Sequence, residues 1–335
     1  MSIGIARSKG RPRAPLSVSA LLLVICAAPL SAQDGLRLAL PIDCTLGDDC
    51  YIQQYVDRAP GPDRQDFACG SLANDDHKGT DFAVPTEREM LAGTRVLASA
   101  PGRVRGTRDG EPDIRQGTEG APNVDGRECG NGVAIDHGDG WETQYCHLMR
   151  GSLRVSEGDQ VEAGDLLGLV GMSGAASFPH VHLSVRKDGA TVDPFRPGPG
   201  CGAAEAPLWI DPPAYVSGTL LSAGLADRVP DYDAIKAGLP EDTLPRGAPA
   251  GAMVAWAFLA NGQAGDTVGF EIVAPDGTVF GRHAEPLEKA QPFLFRAWGR
   301  RAPAEGLQRG GWTATLTLTR DGVEIDRTEV AAQAN

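Results

Sequence analysis

From Phe82 to Leu183 the chain is a series of short apolar runs separated by glycine and polar residues. Thr94-Arg95-Val96-Leu97-Ala98, Gly102-Arg103-Val104, Gly132-Val133-Ala134-Ile135, Thr143-Gln144-Tyr145 and Leu166-Leu167-Gly168-Leu169-Val170 are each bounded by turn formers, which predicts strands. Asp136-His137-Gly138-Asp139-Gly140-Trp141 lies between two of them and predicts a hairpin loop. Residues 106–128 hold Gly, Asp and Arg with no apolar period, so they form either a solvated loop or a flap beside a groove. Residues 197–214, with Pro197, Gly198, Pro199, Gly200, Pro207, Pro212 and Pro213, mark a boundary. Beyond it strand patterns return at Val254–Phe258, Thr267–Val273, Phe293–Trp298 and Trp312–Leu318, several alternating apolar with polar and joined by turns such as Pro275-Asp276-Gly277 and Arg320-Asp321-Gly322; they predict a small β-sandwich. Trp256, Trp298 and Trp312 sit on these patterns and are expected in a core. There is no internal repeat and no heptad pattern.

The start of the chain follows a different pattern. Residues 1–32 run from a basic segment (Arg7, Lys9, Arg11, Arg13) through an apolar stretch between Leu16 and Leu30 to the small pair Ser31-Ala32, the pattern of a secretory signal peptide cut near Ala32. The apolar stretch is shorter than the ~20 residues of a membrane-spanning helix, so no span is expected in the mature chain. Residues 33–76, broken by Pro60-Gly61-Pro62, read as an irregular arm packed on the strand-rich domain after it. Losing Cys26 with the leader leaves Cys44, Cys50, Cys69, Cys129, Cys146 and Cys201. An even count in an exported chain suggests three disulfides; six cysteines allow ~15 pairings, of which Cys44 with Cys50 is the easiest local one.

Composition narrows the class. With 41% apolar residues the 335-residue chain is not disordered, and 43 Gly with 25 Pro and no collagen period predicts loop-rich β structure. The formal charge of −13, which becomes −17 when the four basic leader residues are removed, excludes a nucleic-acid binder, because phosphate recognition needs the opposite sign.

The candidate chemistry lies in the histidines. The chain has six, and four of them fall in three short clusters: His77-Lys78-Gly79-Thr80-Asp81, Tyr145-Cys146-His147-Leu148 and His180-Val181-His182. On a strand, residues two apart share a face, so His180 and His182 point into the same space. Two imidazoles and a carboxylate leave a coordination position open, as a catalytic zinc requires. His137 and His283 have no partner pattern and are read as exposed polar residues. Gly130-Asn131-Gly132 fails as a dinucleotide motif because Ile135 occupies the place of the third glycine.

His77-x-x-x-Asp81 followed by Phe82-Ala83-Val84-Pro85, Gly130-Asn131-Gly132-Val133-Ala134-Ile135-Asp136-His137-Gly138, Tyr145-Cys146-His147-Leu148, Gly164-Asp165-x-x-Gly168-x-Val170-Gly171-x-Ser173-Gly174 and Pro179-His180-Val181-His182 together resemble the M23 (lysostaphin/LytM-type) zinc metallopeptidases. The resemblance covers about residues 77 to 196. It implies one Zn2+ per chain held by His77, Asp81 and His182, with His147 and His180 as the catalytic histidines. Two positions depart from the family pattern: Phe178 stands where many relatives have Gly, and Ser184 where they often have an acidic residue. Neither is a ligand or catalytic position; they bear on the shape of the groove.

The fold expected is therefore mainly β: an antiparallel-sheet M23-type metallopeptidase domain over 77–206, followed by a small immunoglobulin-like β-sandwich over 207–335. The resemblance implies a zinc metalloendopeptidase that hydrolyses peptide crosslinks of bacterial peptidoglycan, in the periplasm or outside the cell, by attack of a zinc-bound water assisted by two histidines. Two alternatives are a catalytically silent M23-like regulator of another wall hydrolase, and a secreted zinc protease acting on proteins. The C-terminal region could bind a protein partner.

Overall fold

The structure, a computed structural model, describes residues 35–202, 205–238, 242–244 and 251–334. The leader expected over residues 1–32 lies outside the described residues. In the first part of the chain the apolar runs form β1 (Tyr51–Gln54), β2 (Thr80–Ala83), helix α1 (Glu87–Ala92), β3 (Arg95–Leu97), β4 (Gly102–Arg108), β5 (Asn131–Gly138), β6 (Trp141–Leu148), β7 (Gln160–Val161), β8 (Leu166–Leu169), β9 (His180–Lys187) and β10 (Ala190–Thr191). Seven strands join in one antiparallel sheet of order β1-β2-β9-β6-β5-β4-β7, with β10 paired to β9, while β3 and β8 form a separate pair.

Period-two alternation sorts the two faces of this sheet. Val181, Leu183 and Val185 of β9 are buried in one core with Phe82, Ile135, Tyr145 and Trp209. His180, His182 and Ser184 therefore project from the opposite face. The hairpin between β5 and β6 is tighter than its sequence suggests: the strands run to Gly138 and Trp141, and only Asp139 and Gly140, both at positive φ (48° and 78°), make the turn. The 33–76 arm adds β1 to the sheet edge, where Tyr51 pairs with Ala83 and Gln54 with Asp81. Disulfides join Cys44 to Cys50, Cys69 to Cys201 and Cys129 to Cys146.

The polar stretch at 106–128 is pinned as a flap rather than left in solvent along its whole length. Asp113 accepts from the amides of Met172 (2.8 Å) and Arg150 (2.9 Å), and the Gln116 amide donates to the Ala176 carbonyl at 2.8 Å.

The C-terminal elements are β11 (Thr219–Ala226), α2 (Tyr232–Ala237), β12 (Asp242–Thr243), β13 (Ala252–Gly262), β14 (Thr267–Val273), β15 (Val279–Pro286), β16 (Gln291–Arg301), β17 (Gly310–Arg320) and β18 (Val323–Ala334). They form two four-stranded sheets, β12-β11-β13-β16 and β15-β14-β17-β18. Trp312, Ala314, Leu316 and Leu318 of β17 face Met253, Ala255, Ala257 and Leu259 of β13 in a shared core, which makes this part a β-sandwich. Trp298 packs partly against that core. β13 reads as a continuous apolar run because its other face is covered too: Trp256 and Phe258 form a second cluster, and Ala260 packs with Tyr51, Ala83, Phe178 and Phe293. At this junction Gln53 Nε2 donates to Asn261 Oδ1 (3.0 Å), and Asn261 Nδ2 donates to the Gln53 backbone carbonyl (3.2 Å), which ties the two parts together. Among the described residues no helix is long and apolar enough to cross a membrane.

Candidate metal centre

Strand register brings the candidate residues together. Asp81 on β2 pairs directly with His182 on β9, and His182 pairs with Cys146 on β6. One row along, His180 pairs with Ala83. His77 lies just ahead of β2 and folds back over Asp81. As a result Asp81 Oδ1 is 2.8 Å from His182 Nδ1 and 3.2 Å from His77 Nε2, and the two ring nitrogens are 3.1 Å apart. All three donor atoms lie within 4.8 Å of one another, so these residues could hold one metal ion.

The outward atoms of both rings are engaged. His77 Nδ1 is 2.7 Å from the Tyr55 carbonyl, which can only accept, so Nδ1 carries a proton and Nε2 is the nitrogen that faces Asp81. His182 Nε2 lies 3.1 Å from the Ser184 hydroxyl, which can accept its proton and leave Nδ1 bare. These two inner nitrogens then face a carboxylate oxygen at near-contact distance, an arrangement that needs a cation among them: a proton in the metal-free protein, or a metal ion in its place. The titration of the groups has the same cause. Burial works against charge on His77, but the Asp81 carboxylate outweighs it and pushes the imidazole up to about 9. Burial likewise opposes ionisation of Asp81, yet the facing His77 and His180 rings and the hydrogen bonds from His182 and His77 hold its carboxyl well below the usual range.

Two more histidines back this group. His147 Nδ1 donates to the Ser173 carbonyl (2.8 Å) and His180 Nδ1 to the Phe178 carbonyl (2.9 Å), so both present a bare Nε2. Their ring centroids are 4.6 Å apart, and His180 Nε2 is 3.6 Å from Asp81 Oδ1. Burial, reinforced by the neighbouring His180 and His182, pushes the His147 pKa well below its ordinary value; burial also lowers that of His180. Both are neutral bases.

The local fold that aims His147 is unusual. Where β5 meets β6 the register slips between Asn131 and Val133, leaving an extra residue on β6, and His147 takes a left-handed backbone (φ 64°) in that bulge. Its amide donates to the Cys129 carbonyl at 2.8 Å, while the neighbouring Cys146 is bridged to Cys129. Behind it, Ser173 Oγ accepts from the Asn131 amide (2.9 Å) and donates to the Leu148 carbonyl (2.8 Å), which fixes the Ser173 carbonyl that His147 uses. A Cβ on Gly130 would come within 2.4 Å of Ser173, which accounts for the glycine beside Asn131.

Some contributors are not visible in the histidine spacing: the Tyr55 and Ser173 carbonyls, the Ser184 hydroxyl and Tyr51. The Tyr51 hydroxyl is buried without a hydrogen-bond partner among the described residues, and burial, then Asp81 and Tyr232, drive its pKa up. His137 is half-buried rather than exposed, with Nδ1 2.6 Å from the Pro101 carbonyl and Nε2 2.8 Å from the Thr143 hydroxyl. His283 is exposed and stacks on Trp298 at 5.5 Å.

The fold and donor set define a class: an antiparallel β protein with an open site fit for one metal ion, backed by two neutral histidines. Residues 75–194 match the model of Peptidase family M23. The cell division protein DipM of Caulobacter vibrioides is 31% identical over 136 residues, 34% of this chain and 22% of that protein. The DD-carboxypeptidase/endopeptidase Mpg of Neisseria meningitidis serogroup B is 34% identical over 118 residues, 35% of this chain and 22% of that protein. The chain thus spans under a quarter of the length of either relative. Among solved structures, a mutant catalytic domain of the prophage-encoded M23 protein EnpA from Enterococcus faecalis is 27% identical, covering 44% of this chain and 92% of that one, with a TM-score of 0.31.

Proposed function

We propose that this protein is an exported zinc metalloendopeptidase that hydrolyses peptide crosslinks of bacterial peptidoglycan. The observation that carries the reading is the convergence of His77 Nε2, Asp81 Oδ1 and His182 Nδ1 on one point with the bare Nε2 atoms of His147 and His180 beside it. The M23 family match and the relative named as a DD-carboxypeptidase/endopeptidase support the substrate class. The basic-then-apolar leader at residues 1–32 supports export, to the periplasm or the cell exterior.

His77, Asp81 and His182 would hold the cation. Such an ion, when bound, acidifies a water and polarises the scissile carbonyl. The remaining work falls to the chain's own side chains. His147 and His180 reach neutral pH unprotonated, so either can take a proton on Nε2; the Ser173 and Phe178 carbonyls keep each Nδ1–H in place and prevent tautomer exchange. Once protonated, the imidazolium donates the same proton to the leaving amine. The Asp81 carboxylate at 3.6 Å favours charge on His180 in that step.

Two variants test this assignment. His182→Ala loses both metal and hydrolysis of crosslinked muropeptides. His147→Ala keeps the metal at one equivalent and loses turnover by ~10²–10⁴-fold. Full turnover by His147→Ala would refute these roles.

A further inference from the structure

Beside His180 lies a cavity of about 290 Å³ whose walls come from both halves of the molecule: Phe178 and Arg115 on one side, and Tyr232, Lys236, Phe258 and Phe293 of the C-terminal part on the other. Its size is at the low end for small-ligand sites, suited to one residue or a chain end rather than a folded partner. The Phe178 ring stacks on His180 (centroids 4.2 Å apart) and meets Phe293 at 5.0 Å, so the cavity begins one ring beyond the candidate catalytic histidine. An extended peptide covers that distance in about two residues, at ~3.4 Å each.

The charges are one-sided. On a chain with 44 acidic and 31 basic residues, the charged side chains lining this cavity are two cations and no carboxylate. Arg115 is paired to Glu87 through Nη2 and lies 3.7 Å from Asp233 Oδ1 through Nη1, while its Nε is buried and has no acceptor among the described residues. Lys236 leans over the Tyr232 ring at 4.6 Å and, among the described residues, pairs with Asp233 at 2.6 Å, whose side chain is 81% exposed and outside the cavity. An aromatic wall with a guanidinium and an ammonium that share one solvent-facing carboxylate suits an apolar group that ends in an anion.

We propose that this cavity is a substrate subsite that receives a free carboxylate of the stem peptide, about two residues from the bond cut at His180. The carboxylate takes the place of Asp233 on Lys236 and on Arg115 Nη1, while the adjoining methyl or methylene groups rest on Phe178 and Phe293. The C-terminal sandwich thereby forms part of the groove and is more than a spacer. This inference rests on the peptidoglycan reading, and its test separates the two.

The test uses the full chain carrying His147→Ala, titrated by calorimetry with a synthetic stem peptide bearing either a free carboxyl or the carboxamide at the same position. A charge-assisted contact in a half-buried site predicts at least ~10-fold tighter binding of the acid. Adding Lys236→Met brings the ratio of acid to amide affinity close to one, whereas Lys236→Arg retains it. A merely structural Lys236 would weaken both ligands alike and leave the ratio unchanged. Equal binding of acid and amide, or a preference that survives Lys236→Met and Arg115→Gln, overturns the subsite. Hydrolysis by the unmutated protein distinguishes the two levels: cleavage of acid and amide forms with equal efficiency removes the subsite alone, and cleavage of neither removes the function with it.

Discussion

Replacing Gly79 with alanine tests the centre through a single methyl group. Gly79 lies between His77 and Asp81, and a Cβ there would sit 2.5 Å from His182 Nε2, 2.7 Å from its Cε1 and 2.6 Å from the Leu183 carbonyl. Its φ is not in the left-handed region, so the effect is steric. The β9 backbone cannot retreat, because Leu183 is paired to Thr80 on one side and Tyr145 on the other. The imidazole must then move by ~1 Å to reach an ordinary contact of ~3.5 Å. That shift breaks the 3.1 Å contact with Ser184 and carries Nδ1 away from Asp81 by several times the ~0.2 Å a metal site tolerates. Overpacking costs ~1–3 kcal/mol of fold stability. Metal affinity falls by at least ~100-fold, about 2.8 kcal/mol, since each factor of ten is ~1.4 kcal/mol. Competition titration against a chelator reads the affinity, and urea unfolding of the metal-free protein reads the stability. An affinity within ~3-fold of the unmutated protein would refute the packing argument.

Three further predictions concern the surroundings of the site. Ser184→Ala removes the partner of His182 Nε2 and lowers metal affinity by ~10–100-fold while leaving the fold intact, as circular dichroism with metal titration would check. Because the folded pKa of His77 is raised to about 9, its proton stabilises the metal-free fold fully below its ordinary ~6.5, and that contribution is lost as pH rises through about 9. The same proton must leave before the ring can ligate, so apparent metal affinity rises up to ~10-fold per pH unit across that window; a flat profile would contradict the ligand assignment. Cys129→Ser with Cys146→Ser opens a loop of 17-residue separation and lowers stability by ~3 kcal/mol, and it also frees the bulge that aims His147, so turnover falls more than metal content does.

The legible part of this molecule is the part set by local spacing. The H-x-H pair reads as two side chains on one face because strands have period two, and β9 presents His180 and His182 in that way. The alternation of Trp312 to Leu318 likewise marks a strand with one buried face, and β17 buries it. The hidden part depends on pairings across long separations. Tyr51–Gln54 is only four residues with two glutamines, yet it is buried throughout because β2 covers it on one edge and the C-terminal sandwich closes over it. β18, Val323–Ala334, carries charges on its exposed face and only a weak apolar alternation, so it does not stand out although it spans twelve residues. Phe178 departs from the M23 pattern in the sequence, and its meaning emerges only where Phe293, 115 residues on, comes to lie against it. The Tyr55 carbonyl, as a backbone group, leaves no trace in residue type at all.

Mass spectrometry of the soluble products, after purified peptidoglycan is incubated with the zinc-loaded mature protein, tests the central claim most directly. Crosslinked dimers are expected to decline while uncrosslinked stem peptides accumulate; a chelator stops this, and one equivalent of zinc restores it. Unchanged dimers with the zinc-loaded protein, or cleavage that continues after zinc is removed, would contradict it.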